Sequence, residues 1–143
     1  MRLLIDADAC PVVDIALRIA RAHHVPVTLV CDDAHEMQRE GAHTVTVLRG
    51  ADSADLALVN MLAHGDVVIT QDYGLAALCL ARGAQALDQN GRVYDNGNID
   101  MLLGMRHVAA RARRAGDRVK GPPKRDRAQN EAFALALEKL LLK

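Results

Sequence analysis

Short apolar runs rich in β-branched residues alternate with helix-like stretches along most of the chain. No other feature constrains the fold as strongly. RLLIDA, VPVTLVCD, TVTVL, DVVIT and AQALD read as five strands. Between and after them, PVVDIALRIARAHH, ADSADLALVNMLAHG, YGLAALCLARG, NIDMLLGMRHVAARARRAG and QNEAFALALEKLLLK carry helical spacing. Pro11 is expected in the first turn of the first helix, while Gly65 and Gly83 are expected to close later ones. Strands that are apolar almost throughout, joined by helices, predict an α/β domain with a central, mainly parallel sheet of about five strands covered on both faces. At 143 residues the chain is read as one domain, 1–143, ending in a C-terminal helix. With no Trp and a single Phe, Phe133, its core must be built from Ala, Leu, Val, Ile and Met.

Acids sit where such a sheet places its sites. In open α/β sheets, sites form beyond the carboxyl ends of the strands, where neighbouring crossovers diverge. Asp6 and Asp8 end the first strand, and Asp72 follows the fourth in VVITQDYG. If the chain winds outward through strands two and three and then returns, strands one and four become neighbours, and these three acids share one rim. GADSAD adds Asp52 and Asp55 at the start of the helix after strand three, opening on the same rim. Converging carboxylates raise one another's proton affinity, a conflict that a divalent cation removes. An oxygen-only ligand set suits Mg²⁺ or Mn²⁺, which usually retain waters and bind substrate phosphates. Metal-assisted phosphoryl chemistry is therefore the expected activity.

Each acid also has a structural explanation. Asp52 and Asp72 suit helix N-caps, and Asp55 suits the positive end of a helix. Asp14 is assigned to the exposed face of the first helix and Asp66 to the turn before strand four. Thr70 could orient a water or a phosphate through its hydroxyl, or be an ordinary strand-end residue. Cys10 lies near a helix N-terminus, but its acidic neighbours disfavour a thiolate, so it reads as a packing residue. Cys10, Cys31 and Cys79 are odd in number and widely spaced, which suits free thiols in a reducing, cytoplasmic setting. The opening apolar run is too short and too acidic for a signal peptide or a membrane span.

Residues 106–127 hold nine of the eighteen Lys and Arg residues against two acids, in a chain of zero formal net charge. Such a strip, including Arg106, Arg111, Arg113, Arg114, Arg118 and Lys120, fits phosphate backbones with salt-sensitive affinity. It contains no aromatic residue for stacking, so contacts without strong sequence readout are expected. A solvated helix face followed by a loop that GPP stiffens at 121–123 is the alternative.

IDADACPV, GADSAD, DVVITQDYGLAALCLARGA, NIDMLLGMRH and RRAGDRVKGP, in this order, closely resemble the bacterial YaiI/YqxD family (UPF0178, DUF188) over nearly the whole chain. That family is grouped with PIN-like domains, so the resemblance implies a three-layer α/β/α fold and a Mg²⁺- or Mn²⁺-dependent ribonuclease site. It implies catalytic and metal-binding roles for Asp6, for an acid of GADSAD (Asp55 ahead of Asp52) and for Asp72, with Asp8 belonging to the family's own signature. Arg113, Arg114, Lys120 and Gly121 are implied at phosphate. The chain departs from the family pattern at Gln129 and Asn130, where an Asp-Arg pair is expected, and at DQNG, which lacks an arginine before the glycine.

Three activities remain open on the residues alone. One is an RNA-cleaving, metal-dependent nuclease. The second is a nucleic-acid-binding protein without catalysis. The third is a haloacid-dehalogenase-like phosphatase with Asp6 as nucleophile and Asp8 as acid-base; against it, the first lysine of the chain is Lys120. The Ala- and Leu-rich helices could also support a homodimer.

Overall fold

The computed structural model describes residues 1–50, 53–114 and 124–142, with backbone alone for 106–114. The apolar runs form strands Leu3–Asp6 (β1), Val27–Asp32 (β2), Ala42–Val47 (β3), Val67–Ile69 (β4) and Gln85–Leu87 (β5). They make one sheet in the order β3-β2-β1-β4-β5, with every strand pairing parallel. β1 lies at the centre, Leu3 level with Val27 on one side and Val67 on the other. The chain therefore runs outward from β1 to β3, then returns to lay β4 on the opposite side of β1. This is the expected switch point.

The helices are Val13–Ala22 (α1), Ser53–Met61 (α2), Tyr73–Ala81 (α3), Asn96–Arg114 (α4) and Arg127–Leu141 (α5). Side chains alternate across a strand, so each strand feeds both faces of the sheet. Leu3, Ile5, Leu29, Ile69 and Leu87 pack with α1 and α5, through residues such as Leu17, Phe133 and Leu137. Leu4, Val30, Val68 and Ala86 face the other way, onto Leu58 of α2, Leu75 of α3 and Leu102 of α4. The result is a three-layer α/β/α arrangement. No described helix is long and apolar enough to cross a membrane.

Several boundaries differ from expectation for local reasons. Pro11 lies in the turn before α1, which begins only at Val13. α5 begins at Arg127 because Asp126 caps it and Gln129 completes a reciprocal capping box, so the glutamine that departs from the family pattern starts the helix. The link from β2 to β3, residues 33–41, carries no helix.

Asp66 is more than a turn residue. It is only 2% exposed, and its carboxylate accepts the backbone amides of Arg2 and Ala63 and the Arg2 guanidinium, each at 2.9 Å. Desolvation opposes this, but those donors together hold its carboxyl below the ordinary value. The pairing staples the start of β1 to the turn entering β4. Asp66→Ala leaves buried donors unmatched and is expected to cost about 2–3 kcal/mol. A lower urea midpoint with an unchanged slope would show it.

Candidate active site

The carboxyl end of β1 turns sharply. Cys10 N donates to the Ala7 carbonyl, and Ala9 takes a left-handed conformation at φ 59°. Left-handed backbone is unfavourable for alanine. The Gln71 side chain, from beyond β4, donates to the Ala9 carbonyl at 2.9 Å and ties the two strand ends together. Asp6 is the last residue of β1, and Asp8 lies inside this turn.

Asp6 is held by a short relay from β4. The Thr70 hydroxyl donates to Asp6 Oδ2 at 2.9 Å and accepts the Asp72 amide at 3.0 Å. Tyr94, 2% exposed, donates its hydroxyl to the Thr70 carbonyl at 3.0 Å. Thr70 is itself 1% exposed, and its hydroxyl is committed on both sides. Thr70 follows the end of β4, the strand-end position that was one of its two sequence readings, and its hydroxyl orients Asp6. Burial, followed by the neighbouring charges of Asp55, Asp8 and Asp72, raises the Asp6 carboxyl from 3.8 to about 6, although the Thr70 hydrogen bond opposes this.

Asp72 is the N-cap of α3, its Oδ1 accepting the Leu75 amide at 3.0 Å. The capping role and the rim position coexist, because Asp72 also lines the cleft with Asp6 and Asp8. Asp55 stands in the first turn of α2 and opens on the same cleft. This cleft is about 230 Å³ and is also lined by Asp32, Gly50, Ser53 and Ala54. A second cleft of about 450 Å³ lies against Asp6, Asp8, Ala9, Gln71, Asp72 and Tyr73. Asp6, Asp8, Asp55 and Asp72 therefore meet at one rim.

Asp32 and His35 join the rim without having been singled out from sequence. Asp32 ends β2, beside the carboxyl end of β1 in the parallel sheet, and its amide lies 3.4 Å from Asp8 Oδ1. His35 Nδ1 sits 2.8 Å from Asp32 Oδ1 and 3.9 Å from Asp8 Oδ1. Desolvation acts to raise the Asp32 carboxyl, but His35 and the amides of Ala34 and His35 hold it below the ordinary value. Among the described residues, Asp8, Asp32 and His35 are the group whose ligand atoms fall within 4.8 Å of one another. The strand-end rule that found Asp6 would also have found Asp32 in VTLVCDD.

Asp52, Arg118 and Lys120 lie outside the described residues, as do the side chains of Arg106, Arg113 and Arg114. Arg125 of the basic segment is described. Its guanidinium donates to Asn130 Oδ1 at 2.6 Å, to Asn90 Oδ1 at 2.7 Å and to the Gln89 carbonyl. The asparagines at 90 and 130 thus share one arginine, at the two places where the chain departs from the family pattern. Cys10 packs against the core, and burial raises its thiol above the ordinary value, which fits packing and not nucleophilic use.

The donor chemistry of the rim suits a divalent cation. Asp6, Asp8, Asp55 and Asp72 offer hard oxygens around one small cleft, the donor type that Mg²⁺ and Mn²⁺ take. A family model described as "Uncharacterized BCR, YaiI/YqxD family" matches residues 4–143. A UPF0178 protein of Exiguobacterium sibiricum is 55% identical over 141 residues, covering 99% of this chain and 96% of the relative. A UPF0178 protein of Clostridium acetobutylicum is 45% identical, covering 100% of this chain and 98% of its own. Another from Ruminiclostridium cellulolyticum is 45% identical, covering 96% and 90%. No solved structure matches the chain significantly.

Proposed function

The chain belongs to the YaiI/YqxD family, and from that premise we propose that it is a Mg²⁺- or Mn²⁺-dependent nuclease of the PIN-like type that hydrolyses RNA phosphodiesters. The observation that carries this reading is the convergence of Asp6, Asp8, Asp55 and Asp72 on one rim at the carboxyl ends of β1 and β4. A divalent ion bound there would neutralise charge on the phosphate oxygens and acidify a water. The chain's own contribution is orientation. Thr70 fixes Asp6, Gln71 fixes the turn that presents Asp8, and the helix cap fixes Asp72. Asp6 must be ionised to serve as a ligand, and burial, with the neighbouring carboxylates adding to it, keeps its proton affinity high until a cation is present. The basic segment supplies phosphate contacts in this reading, with affinity falling as salt rises.

Purified protein incubated with single-stranded RNA is expected to cleave it with Mg²⁺ or Mn²⁺ and to stop when EDTA is added. Cleavage that persists in EDTA would remove the metal from the reading. Binding without turnover under either ion would favour the non-catalytic alternative. Release of phosphate from a monoester, with a trapped acyl-phosphate on Asp6, would favour the phosphatase.

A further inference from the structure

Beside the acid rim lies a third cleft, about 560 Å³, between Tyr73 and the turn of residues 88–92. Tyr73 is the first residue of α3, directly after Asp72, and it also lines the acid cleft with Asp6 and Asp8. The two clefts therefore share the tyrosine as a common wall. Its half-buried ring packs edge-on against Tyr94, with centroids 6.1 Å apart and planes at 66°. Tyr94 in turn is buried and anchored on the Thr70 carbonyl. The ring is thus held from the protein side by the same relay that orients Asp6.

The opposite wall is rigid as well. Asp88 accepts the amides of Asn90 and Arg92, which closes the turn. Gly91, at φ 87°, lies so close to α5 that a Cβ there would stand 2.5 Å from the Ala132 carbonyl. Arg125 holds Asn90 and the Gln89 carbonyl from the other side. Arg92 alone carries charge out of this turn. It is exposed, and among the described residues its guanidinium makes no ion pair or hydrogen bond.

We propose that this cleft is a nucleotide subsite, in which one unpaired base lies on Tyr73 while Arg92 takes the phosphate next to it. An aromatic face beside an unengaged guanidinium is the chemistry that single-stranded nucleic acid requires. A base in a duplex is already stacked and cannot turn onto the ring, so the subsite selects single strands. The inference rests on the nuclease reading only for the identity of the neighbouring rim, since binding can be measured without cleavage.

The test uses full-length protein in EDTA and a labelled single-stranded oligoribonucleotide, with anisotropy as the readout. The same RNA annealed to its complement is the comparison. The single strand should bind more tightly than the duplex. Tyr73→Ala should weaken single-strand binding about tenfold, and Tyr73→Phe should retain it. Arg92→Ala should lower the slope of log affinity against log salt by about one. Because the chain has no Trp, tyrosine emission comes from Tyr73 and Tyr94 alone, and RNA should quench in the parent a component that is missing in Tyr73→Phe. Equal binding by Tyr73→Ala and the parent, equal binding of duplex and single strand, or no binding by the parent would each overturn the subsite. Binding with these signatures but no cleavage in Mg²⁺ or Mn²⁺ would keep the subsite and reject the nuclease.

Discussion

Asp6→Asn is expected to abolish metal-dependent RNA cleavage, by roughly a thousandfold or more, while making the metal-free protein more stable. The two effects share one cause. The Asp6 carboxyl is raised from 3.8 to about 6 in the folded chain, mainly by burial and then by Asp55, Asp8 and Asp72. Below pH 3.8 both the folded and unfolded chains carry the proton, and Asp6 costs nothing. Between 3.8 and about 6 the unfolded chain ionises first, so stability falls as pH rises. Above about 6 the penalty levels off at about 2–3 kcal/mol. Asparagine never ionises and still accepts the Thr70 hydroxyl. Its stabilising effect should therefore be absent near pH 3.5 and full at pH 7.5, as read by denaturant unfolding in EDTA. Added Mg²⁺ should narrow the gap by stabilising only the parent. Cleavage by Asp6→Asn equal to the parent, or stability gained equally at both pH values, would contradict the account.

Phe133→Ala is expected to be the most damaging core substitution, at about 3–5 kcal/mol. Phe133 is fully buried in the layer that α5 builds over the sheet, beside Leu137 and Leu140. In a chain with one phenylalanine and no tryptophan, no larger neighbour can fill the space left behind. For a domain whose whole stability is about 5–15 kcal/mol, the loss should be plain in a thermal or urea melt. Phe133→Leu should recover a large part of it.

Most of the sheet was legible in the sequence because β1, β2, β4 and β5 are short runs largely buried on both faces, as LLID and VTLVCD show, while the half-buried edge strand β3 was marked by its β-branched content. The placement of Asp6 and Asp72 on one rim followed from a winding order that the sheet realises, with β1 beside β4. Asp32 was missed although it satisfies the same strand-end rule, because the acidic stretch that follows it reads as ordinary loop. His35 carried no signal at all. Its approach to Asp8 depends on how residues 33–41 fold back, a tertiary fact without local pattern. Thr70 kept two readings, a hydroxyl for water or phosphate and an ordinary strand-end residue, because sequence does not show what a strand-end hydroxyl meets. Only the structure shows it spent between Asp6 and the Asp72 amide. The Tyr73 cleft was hidden for a similar reason: its walls come from residues 73 and 88–92, which the pairing of β4 with β5 brings together.

The packing of α5 gives the molecule an order of assembly. α5 comes last in chain order among the described elements, yet it covers one face of the sheet and buttresses the turn at Gly91. A chain folded only through α4 holds its rim acids but lacks the lid on Leu3, Ile5 and Leu87 and the support for the turn at Gly91. Its apolar surface stays open to chaperones, and the wall of the cleft beside Tyr73 stays unsupported, until residues 127–141 dock.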